Sequence, residues 1–342
     1  MVKAIALLSG GLDSTLAVLA VLNQGIDITA VTFLTHFGCD ISDSSSCSKN
    51  PFPAAEKFGF KVKLSHLGDK FIELVKNPKH GYGRNMNPCI DCRILMLSEA
   101  KELMEITGAD FVITGEVLGQ RPMSQQRNTL AMIDKEAGVK GYVLRPLSAK
   151  LMDVTIPEKE GLVDREKLYA FNGRSRRPQI ALAEEFGLTD YPAPAGGCLL
   201  TEPNYSHRLR ELLRHNPDPS LSELHLLRVG RHFRLSPACK AIVGRDEKEN
   251  AVIESFADAG GYLMMVEDAG SPAVLLSGKD SDNFISLAAS LCARYSDAEH
   301  LPEVEVTVRK AGDCFKVQVP PANSELVEAY RIEKPNRMSV QA

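Results

Sequence analysis

The alternation of apolar, β-branched runs with helical patterns in the first third of the chain restricts its fold more than any other feature. Residues Lys3–Leu8 form an apolar run that leads through a glycine-rich turn, Ser9–Ser14, into a helical pattern over Thr15–Leu22. The alternation continues with predicted strands at Ile28–Leu34, Lys61–Leu64 and Phe111–Thr114 and predicted helices at Pro53–Phe58 and Cys89–Thr107. Strands that alternate with helices predict an α/β fold with a doubly wound parallel sheet, in which ligands bind at the carboxyl ends of the strands.

The rest of the chain predicts two further segments. The α/β pattern extends over residues 1–170, and residues 171–218 form a connecting segment that contains the Pro- and Gly-rich stretch Tyr191–Gly197. Shorter apolar runs over residues 219–330 predict a smaller α+β domain. No apolar stretch reaches the roughly 18 residues of a membrane span, and no charged leader precedes the first strand, so we expect a cytoplasmic protein without a membrane segment.

The turn Ser9–Ser14 has the position and composition of an anion-binding site. Unpaired N–H groups and the dipole at a helix start attract phosphate, and glycines let the backbone approach it closely. The turn lacks the Gly-Lys-Ser/Thr ending of a Walker loop, so transfer of a terminal phosphoryl group is not expected. A simple glycine turn capped by Asp or Ser is the alternative, which the strand–turn–helix context disfavours.

The sequence Ser-Gly-Gly-Leu-Asp-Ser resembles the signature of the ATP pyrophosphatases. The resemblance implies attack on the α-phosphate of ATP, release of pyrophosphate and an adenylated substrate. In that family the serines and glycines of the signature hold the pyrophosphate and the aspartate supports Mg²⁺. The corresponding residues here are Ser9, Gly10, Gly11, Ser14 and Asp13.

A second group of motifs lies between Thr114 and Leu147. The segment Thr114–Gln126 reads TGEVLGQRPMSQQ, and Ala131–Asp134 and Leu144–Leu147 follow it. These residues resemble the catalytic domain of the tRNA 4-thiouridine synthetases, in which the Gly-Glu and Gly-Gln segments help to enclose the nucleotide and the target base. The resemblance covers about the first half of the chain and implies an adenine nucleotide alpha hydrolase-like fold. The further nucleotide-binding residues that we infer are Phe33, Gly115, Glu116, Gly119 and Gln120.

Two features of those synthetases are not recognised in the sequence. The synthetases carry an RNA-binding domain in front of the phosphate loop, whereas the loop begins here at Ser9. They can also carry a C-terminal sulfurtransferase domain with a persulfide cysteine, which we do not find. The resemblance therefore leaves the source of sulfur open.

Three cysteines are candidates for the missing sulfur chemistry. An Asn-Pro pair predicts a helix start that places Cys89 and Cys92 on one helix face in the positive field of the N-terminus, which favours thiolates. Cys198 follows a glycine pair. The arrangement resembles iron–sulfur-dependent tRNA thiolation enzymes, which implies a 4Fe–4S cluster on these three cysteines with one iron open to sulfide. Persulfide or redox chemistry, structural zinc and simple packing remain alternatives. Cys39 and Cys47 either join the site or are incidental loop thiols.

A basic window lies inside an acidic chain. The net charge is −4, yet residues 204–245 are rich in arginine, and such residues bind phosphate with an affinity that falls with salt. A solvated, ion-paired helix face is the alternative. The RNA-binding candidates are Arg208, Arg228, Arg231 and Arg234 in this window, and Arg174, Arg176 and Arg177 in a loop before Cys198.

These patterns together predict ATP-dependent thiolation of a tRNA uridine. The carbonyl oxygen is adenylated and then replaced by sulfur, with Asp13, Cys89, Cys92 and Cys198 as the catalytic candidates. The expected cofactors are ATP, Mg²⁺ and a 4Fe–4S cluster, and the expected partners are tRNA and a sulfur donor, either sulfide or a persulfide carrier protein. A homodimer is compatible with the sequence. Two alternatives are adenylation of a small molecule for sulfur or amide transfer, and a non-catalytic RNA-binding protein that responds to nucleotide or to an iron–sulfur cluster.

Overall fold

The chain folds into two compact units. The computed structural model describes residues 1–37, 50–192, 198–257 and 260–333. The units are Met1–Thr201 and Glu202–Ala342. The expected connecting segment 171–218 is divided between them, because the helix Arg177–Glu185 packs on the helix Leu12–Leu22 of the first unit, whereas the helix Pro203–His215 belongs to the second. None of the helices in the described part of the chain combines the length and the apolar content that a membrane crossing requires.

The first unit is built on a five-stranded parallel sheet with the strand order β3-β2-β1-β4-β5. Its strands are β1 (Lys3–Leu7), β2 (Asp27–Leu34), β3 (Lys61–His66), β4 (Phe111–Thr114) and β5 (Val143–Leu144). Its helices are α1 (Leu12–Leu22), α2 (Phe52–Phe58), α3 (Gly68–Lys76), α4 (Cys89–Thr107), α5 (Arg127–Glu136), α6 (Ile156–Lys159) and α7 (Arg177–Glu185). The doubly wound parallel sheet that the sequence predicts is confirmed.

The core of the first unit explains why β1 lies at the centre of the sheet. All its residues from Ala4 to Leu7 are buried, as expected for a strand covered on both faces. Ala4 and Ala6 pack with the apolar helix α1 in one cluster, and α4 also packs on β1. β2 pairs with one edge of β1, and β4 pairs with the other edge. The strand order therefore reverses beside β1. Ligands of open α/β sheets bind at such a switch point.

The second unit contains a six-stranded antiparallel sheet with the order β11-β10-β8-β9-β7-β6. Its strands are β6 (Arg231–Ser236), β7 (Cys239–Val243), β8 (Tyr262–Met265), β9 (Val274–Gly278), β10 (Val304–Lys310) and β11 (Asp313–Val319). Its helices are α8 (Pro203–His215), α9 (Leu221–Leu226), α10 (Glu247–Glu254), α11 (Ile285–Arg294) and α12 (Ser324–Tyr330). Residues of α11 and the sheet share a buried apolar cluster, so this unit is the separate α+β fold that the shorter apolar runs predict.

Candidate active site

The phosphate loop joins the end of β1 to the start of α1. Gly11 is the N-cap of α1, and no side chain in the described part of the protein caps the helix, so its first N–H groups face the loop without a side-chain partner. Ser9 and Ser14 lie side by side, with 3.1 Å between their Oγ atoms, and Ser14 Oγ donates to the Gly11 carbonyl at 3.0 Å. This arrangement suits an anion at the helix start.

The end of β4 touches this loop, and only glycine fits at the contact. A Cβ atom on Gly115 would lie 2.4 Å from Ser14 Cα and 2.5 Å from Ser14 N, far inside van der Waals distance. The missing side chain therefore lets β4 and the phosphate loop approach each other at the switch point of the sheet.

A cavity of about 440 Å³ opens at this point, a size that suits a nucleotide. Among the predicted nucleotide-binding residues, those that line it are Ser9, Gly11, Asp13, Ser14, Phe33, Gly115, Glu116 and Gln120. Gly10 and Gly119 lie outside its described wall. A Cβ on Gly119 would lie 2.9 Å from Asn172 Oδ1, so Gly119 shapes a turn behind the cavity.

A buried set of charges fixes one wall of the cavity. The Arg145 guanidinium donates to both carboxylate oxygens of Asp134, at 2.8 and 2.7 Å, and to Glu116 Oε2 at 3.0 Å. Burial raises the pKa of Glu116, but the attraction of Arg145 and Arg93 outweighs burial and lowers it. Glu116 is therefore a carboxylate at neutral pH. The sequence motifs include Arg145 and Asp134, but their pairing could not be derived without the fold.

Asp13 presents one carboxylate oxygen without a protein partner. Its Oδ2 accepts a hydrogen bond from Gln120 Nε2 at 3.0 Å, whereas Oδ1 is buried and has no hydrogen-bond partner among the described residues. Mg²⁺ is usually held by one or two carboxylates together with substrate phosphates. A carboxylate oxygen that is unsatisfied beside a phosphate loop fits that role.

The three predicted cysteines come together at the same cavity. Cys89 and Cys92, from the start of α4, and Cys198 all line its wall. Cys198 Sγ donates to the Phe37 carbonyl at 3.9 Å. In the described part of the chain, no three histidine, cysteine or carboxylate side chains lie close enough to hold a single metal ion. A 4Fe–4S cluster has a different geometric requirement, because each thiolate binds a different iron atom. Three thiols that line one cavity fit this set of ligands. Cys39 and Cys47 lie outside the described residues.

Burial dominates the ionisation of two of these thiols. The pKa of Cys92 is raised to about 12 and that of Cys198 to about 11, mainly by burial, with a smaller contribution from the neighbouring Cys89 thiol in both. The expected thiolate at the helix start is therefore wrong for Cys92 at neutral pH, because desolvation outweighs the helix field. A bound metal would reverse this, since a coordinated thiol is deprotonated.

Arg93 is a cavity residue that the sequence analysis missed. Its side chain lines the wall that also contains Cys92, and its Nε lies 3.6 Å from Glu116 Oε1. The signal was present in the helical spacing, because Arg93 follows Cys89 by four residues and so shares its helix face.

The predicted RNA-binding arginines of the first unit divide into two groups. Arg176 lines the cavity, and its Nε is buried without a hydrogen-bond partner among the described residues. Arg174 and Arg177 are exposed and lie outside the cavity wall. Of these three guanidinium groups, that of Arg176 therefore faces the cavity, and those of Arg174 and Arg177 face solvent.

The predicted RNA-binding arginines of the second unit also differ in their surroundings. Arg208 is buried and donates to the carbonyls of Leu227 and Gly230, so its position does not support a direct contact with RNA. Arg234 is half-buried and forms a two-bond ion pair with the carboxylate of Glu211.

Two further arginines lie at the β6 end of this unit. The guanidinium of Arg231 lies 4.5 Å from the centre of the Tyr295 ring and donates to the Gly244 carbonyl at 3.2 Å. Arg228 is half-buried. Arg228 and Arg231 remain RNA-binding predictions in this window.

Both units resemble known protein families. Residues 1–154 match the family model described as thiamine biosynthesis protein (ThiI). This match lies within the first unit and covers less than half of the chain. Residues 230–331, within the second unit, match the model described as NFACT protein RNA binding domain.

Relatives of known name are similar to part of the chain. The "tRNA-specific 2-thiouridylase MnmA" of Herpetosiphon aurantiacus is 27% identical over 234 residues, which cover 62% of this chain and 59% of the relative. The "Probable tRNA sulfurtransferase" of Lysinibacillus sphaericus is 31% identical over 163 residues, which cover 46% and 38%. A solved 4-thiouridine synthetase in complex with RNA and ATP is 23% identical, covers 55% of this chain and 53% of its own, and has a TM-score of 0.35. The chain thus spans less than two thirds of the length of either named relative.

Proposed function

We propose that the protein activates a uridine carbonyl oxygen of tRNA with ATP and then replaces that oxygen with sulfur. The observation that supports this most directly is that the phosphate loop and three cysteines line one cavity. The names of the two relatives, a 2-thiouridylase and a tRNA sulfurtransferase, agree with this chemistry. The proposed compartment is the cytoplasm, where tRNA modification would take place.

The first step is transfer of the adenylyl group. The uridine carbonyl oxygen forms a bond to the α-phosphorus of ATP, the bond from that phosphorus to the bridging oxygen breaks with its electron pair, and pyrophosphate leaves. The N3 proton of the uracil ring is released to solvent. The backbone N–H groups at the start of α1, together with Ser9 and Ser14, would hold the phosphates. Asp13 would hold Mg²⁺, whose charge offsets that of the phosphates.

The second step is the entry of sulfur. Hydrosulfide adds to the activated ring carbon, AMP leaves with the original carbonyl oxygen, and the proton from sulfur moves to N3. No oxidant or reductant is consumed when the donor is sulfide. Cys89, Cys92 and Cys198 would hold a 4Fe–4S cluster, which when bound supplies a site for external sulfide.

A persulfide carrier protein is the other sulfur donor that this site could use. In that case one of the three thiols would accept sulfur as a persulfide, and the outer sulfur would attack the activated ring carbon as AMP leaves. A second thiol would then cleave the disulfide between base and enzyme, which releases the thiolated base and leaves an enzyme disulfide, so a reductant would be needed for each turnover. Iron content distinguishes the two routes.

The second unit supplies an RNA-binding surface in this proposal. Its match to the NFACT protein RNA binding domain supports that role. We propose that this unit captures tRNA through phosphate contacts, which would include Arg228 and Arg231. Phosphate contacts of this kind give affinity without sequence preference, so the choice of uridine would fall to the cavity of the first unit.

Pyrophosphate release measured with and without tRNA tests the proposal. The anaerobically purified protein is incubated with ATP, Mg²⁺ and sulfide, and nucleosides from the digested tRNA are analysed by mass spectrometry. We expect pyrophosphate release to depend on tRNA, and a uridine to gain about 16 mass units as sulfur replaces oxygen. The Asp13→Asn variant should lose at least about a hundredfold in rate, because a metal-supporting carboxylate is lost, while its tRNA affinity stays within about twofold.

The same assay identifies the alternatives. Pyrophosphate release that requires a small molecule and ignores tRNA would favour adenylation of a small substrate. Binding of tRNA and ATP without any release of pyrophosphate would favour a non-catalytic RNA-binding protein. Either result would overturn the thiolation proposal.

A further inference from the structure

The phosphate loop contains no cationic side chain, although it is expected to bind a triphosphate. Its residues are Ser9–Ser14, and the only ionisable group among them is the carboxylate of Asp13. Phosphoryl-transfer and adenylyl-transfer sites usually aim an arginine, a lysine or a metal ion at the charge that develops on the phosphate oxygens. The positive charge must therefore come from outside the loop, from a side chain or from a metal ion.

Within the described part of the chain, three cationic side chains line the cavity: Arg93, Arg121 and Arg176. Arg93 is tied by an ion pair to the wall beside the phosphate loop. It lies next to Glu116, and Glu116 directly follows Gly115, whose backbone touches Ser14. This chain of contacts brings the Arg93 guanidinium close to the phosphate loop.

The bond between Arg93 and Glu116 is an ion pair without a hydrogen bond. The Nε–Oε1 distance is 3.6 Å, and Glu116 Oε1 has no hydrogen-bond partner among the described residues. Arg145 holds the other oxygen of Glu116 with a hydrogen bond of 3.0 Å. Arg93 thus contributes positive charge beside Glu116 without a hydrogen bond to it, and its N–H groups stay available for a ligand.

Arg93 also lies next to the sulfur site. It follows Cys92 in α4 and stands one helical turn after Cys89. A guanidinium in this place is near both the incoming sulfur and the group that leaves when sulfur attacks. That group is the α-phosphate of AMP in the proposed reaction.

We infer that Arg93 is a catalytic residue that binds the α-phosphate of the nucleotide in both steps of the reaction. This inference rests on the proposed adenylation. In the first step Arg93 offsets the charge that grows on the α-phosphate oxygens as the bond to pyrophosphate breaks. In the second step it offsets the charge on AMP as the carbon–oxygen bond breaks. A planar guanidinium suits the task because it can bind two phosphate oxygens at once.

Calorimetric titration with AMP and with pyrophosphate separates a contact to the α-phosphate from one to the β- and γ-phosphates. For Arg93→Gln we expect the dissociation constant of AMP to rise about tenfold and that of pyrophosphate to change less than twofold. The rate of tRNA-dependent pyrophosphate release should fall about a hundredfold, as when one donor to a developing oxyanion is removed. Lys101→Gln removes a cation from the outer surface of the same helix and serves as the matched control, with unchanged binding and rate.

Arg93→Lys keeps the charge beside Glu116 and is the variant to use if Arg93→Gln does not fold. We expect it to bind AMP within about threefold of the wild type but to lose about tenfold in rate, because an ammonium group cannot bind two oxygens in the same geometry. AMP binding and rates that stay at the wild-type level in both variants would overturn the inference. An equal loss of pyrophosphate and AMP affinity would also overturn it, since that pattern points to a collapsed cavity wall. If the wild type binds AMP yet releases no pyrophosphate, the thiolation proposal fails while the AMP comparison still decides the role of Arg93.

Discussion

The two units differ in how far carboxylates compensate their buried cationic side chains. In the first unit, Arg145 lies between the carboxylates of Asp134 and Glu116, which outweigh its burial and raise its pKa. In the second unit, burial and the neighbouring Arg245 lower the pKa of Arg208, and burial lowers the pKa of Lys240 to about 7. The carboxylates around the buried cation of the first unit thus outweigh its burial, whereas those around the buried cations of the second unit do not, so positive charge there is compensated only in part.

This difference matches the two tasks proposed for the units. A compensated network holds its members in one geometry, which a reaction between ATP and a fixed carbonyl oxygen requires. An excess of positive charge costs stability but raises the attraction for a polyanion. The comparison predicts that variants of the first unit change chemistry or folding, whereas variants of the second change affinity and its dependence on salt and pH.

The largest effect is expected at the cysteines of the first unit. Replacing Cys89, Cys92 or Cys198 with Ser should remove most of the bound iron and all thiolation, measured by iron analysis and by nucleoside mass spectrometry. ATP binding and tRNA affinity should be kept, because the nucleotide loop and the second unit are untouched. The triple variant should lose no more iron and no more thiolation activity than any single variant, since ligands of one cluster act as a unit. An iron-free preparation with full activity would rule out the cluster in favour of the persulfide route.

A stability effect of roughly 3 to 5 kcal/mol is expected for Arg145→Met. The substitution leaves the buried carboxylates of Glu116 and Asp134 without their cation, and an uncompensated buried charge is strongly destabilising. Arg208→Met in the second unit should lower the free energy of unfolding by less. The substitution removes the repulsion with Arg245 and leaves mainly backbone carbonyls unpaired. Urea unfolding measures the loss of stability in each variant, and hydrogen exchange shows which unit is affected. The loss should be larger for Arg145→Met than for Arg208→Met. An equal loss in both would remove the contrast between the units.

The sequence predicted the elements of the first unit well where local signals mark their ends. The helix Cys89–Thr107 and the strand Phe111–Thr114 were predicted with their observed bounds. The helix begins after an Asn-Pro pair and ends at Gly108, which adopts the left-handed conformation that favours glycine. The helix Gly68–Lys76 was not predicted, because it is short and its sequence has no Asn-Pro or comparable start signal. A boundary at Thr201 was not predicted either, since no local signal distinguishes it from the nearby proline-rich stretch.

The candidate site was predicted in part. Motifs located the phosphate loop, Gly115 and the three cysteines, because each belongs to a short segment with a recognisable pattern. The positions of Arg93 and Arg145 beside Glu116 were missed, since Glu116 is distant from both in sequence and becomes their neighbour only in the folded sheet. The protonated state of Cys92 was missed for a related reason, because desolvation depends on tertiary packing.

A smaller effect is expected at the arginines of the second unit. The double variant Arg228→Ala, Arg231→Ala should weaken tRNA binding about tenfold and reduce the slope of log affinity against log salt by one to about two, as two phosphate contacts are lost. Fluorescence anisotropy over a range of salt concentrations measures both. Arg309→Ala removes an exposed arginine that pairs with Glu267 in the same unit and is the control. An unchanged slope would move the RNA-binding surface away from β6.

Weakened tRNA binding in the double variant should leave the catalytic step intact. At saturating tRNA, pyrophosphate release should reach the wild-type rate, because the arginines lie in a different unit from the cavity. A lower rate at saturation would mean that the second unit also orients the substrate, and the division of tasks would then be less strict.

The smallest effect concerns Lys240 and pH. Its pKa is lowered to about 7, mainly by burial, with Arg234 and Arg208 adding to the shift and Glu211 and Glu223 opposing it. Between pH 7 and the ordinary lysine value near 10.5, the unfolded chain holds a proton that the folded protein lacks. Stability must therefore rise with pH in that range, since it increases wherever the unfolded state binds more protons.

Calorimetric unfolding of the second unit between pH 7 and pH 10 measures this dependence. We expect Lys240→Met to flatten the rise and to be more stable than the wild type by roughly 1 kcal/mol at pH 7, because the cost of a buried charge is removed. Lys248→Met changes an exposed lysine of the same unit and should keep the wild-type profile. A Lys240→Met profile with the full wild-type slope would show that another group titrates. It would also show that the excess of buried positive charge in the second unit is smaller than the structure indicates.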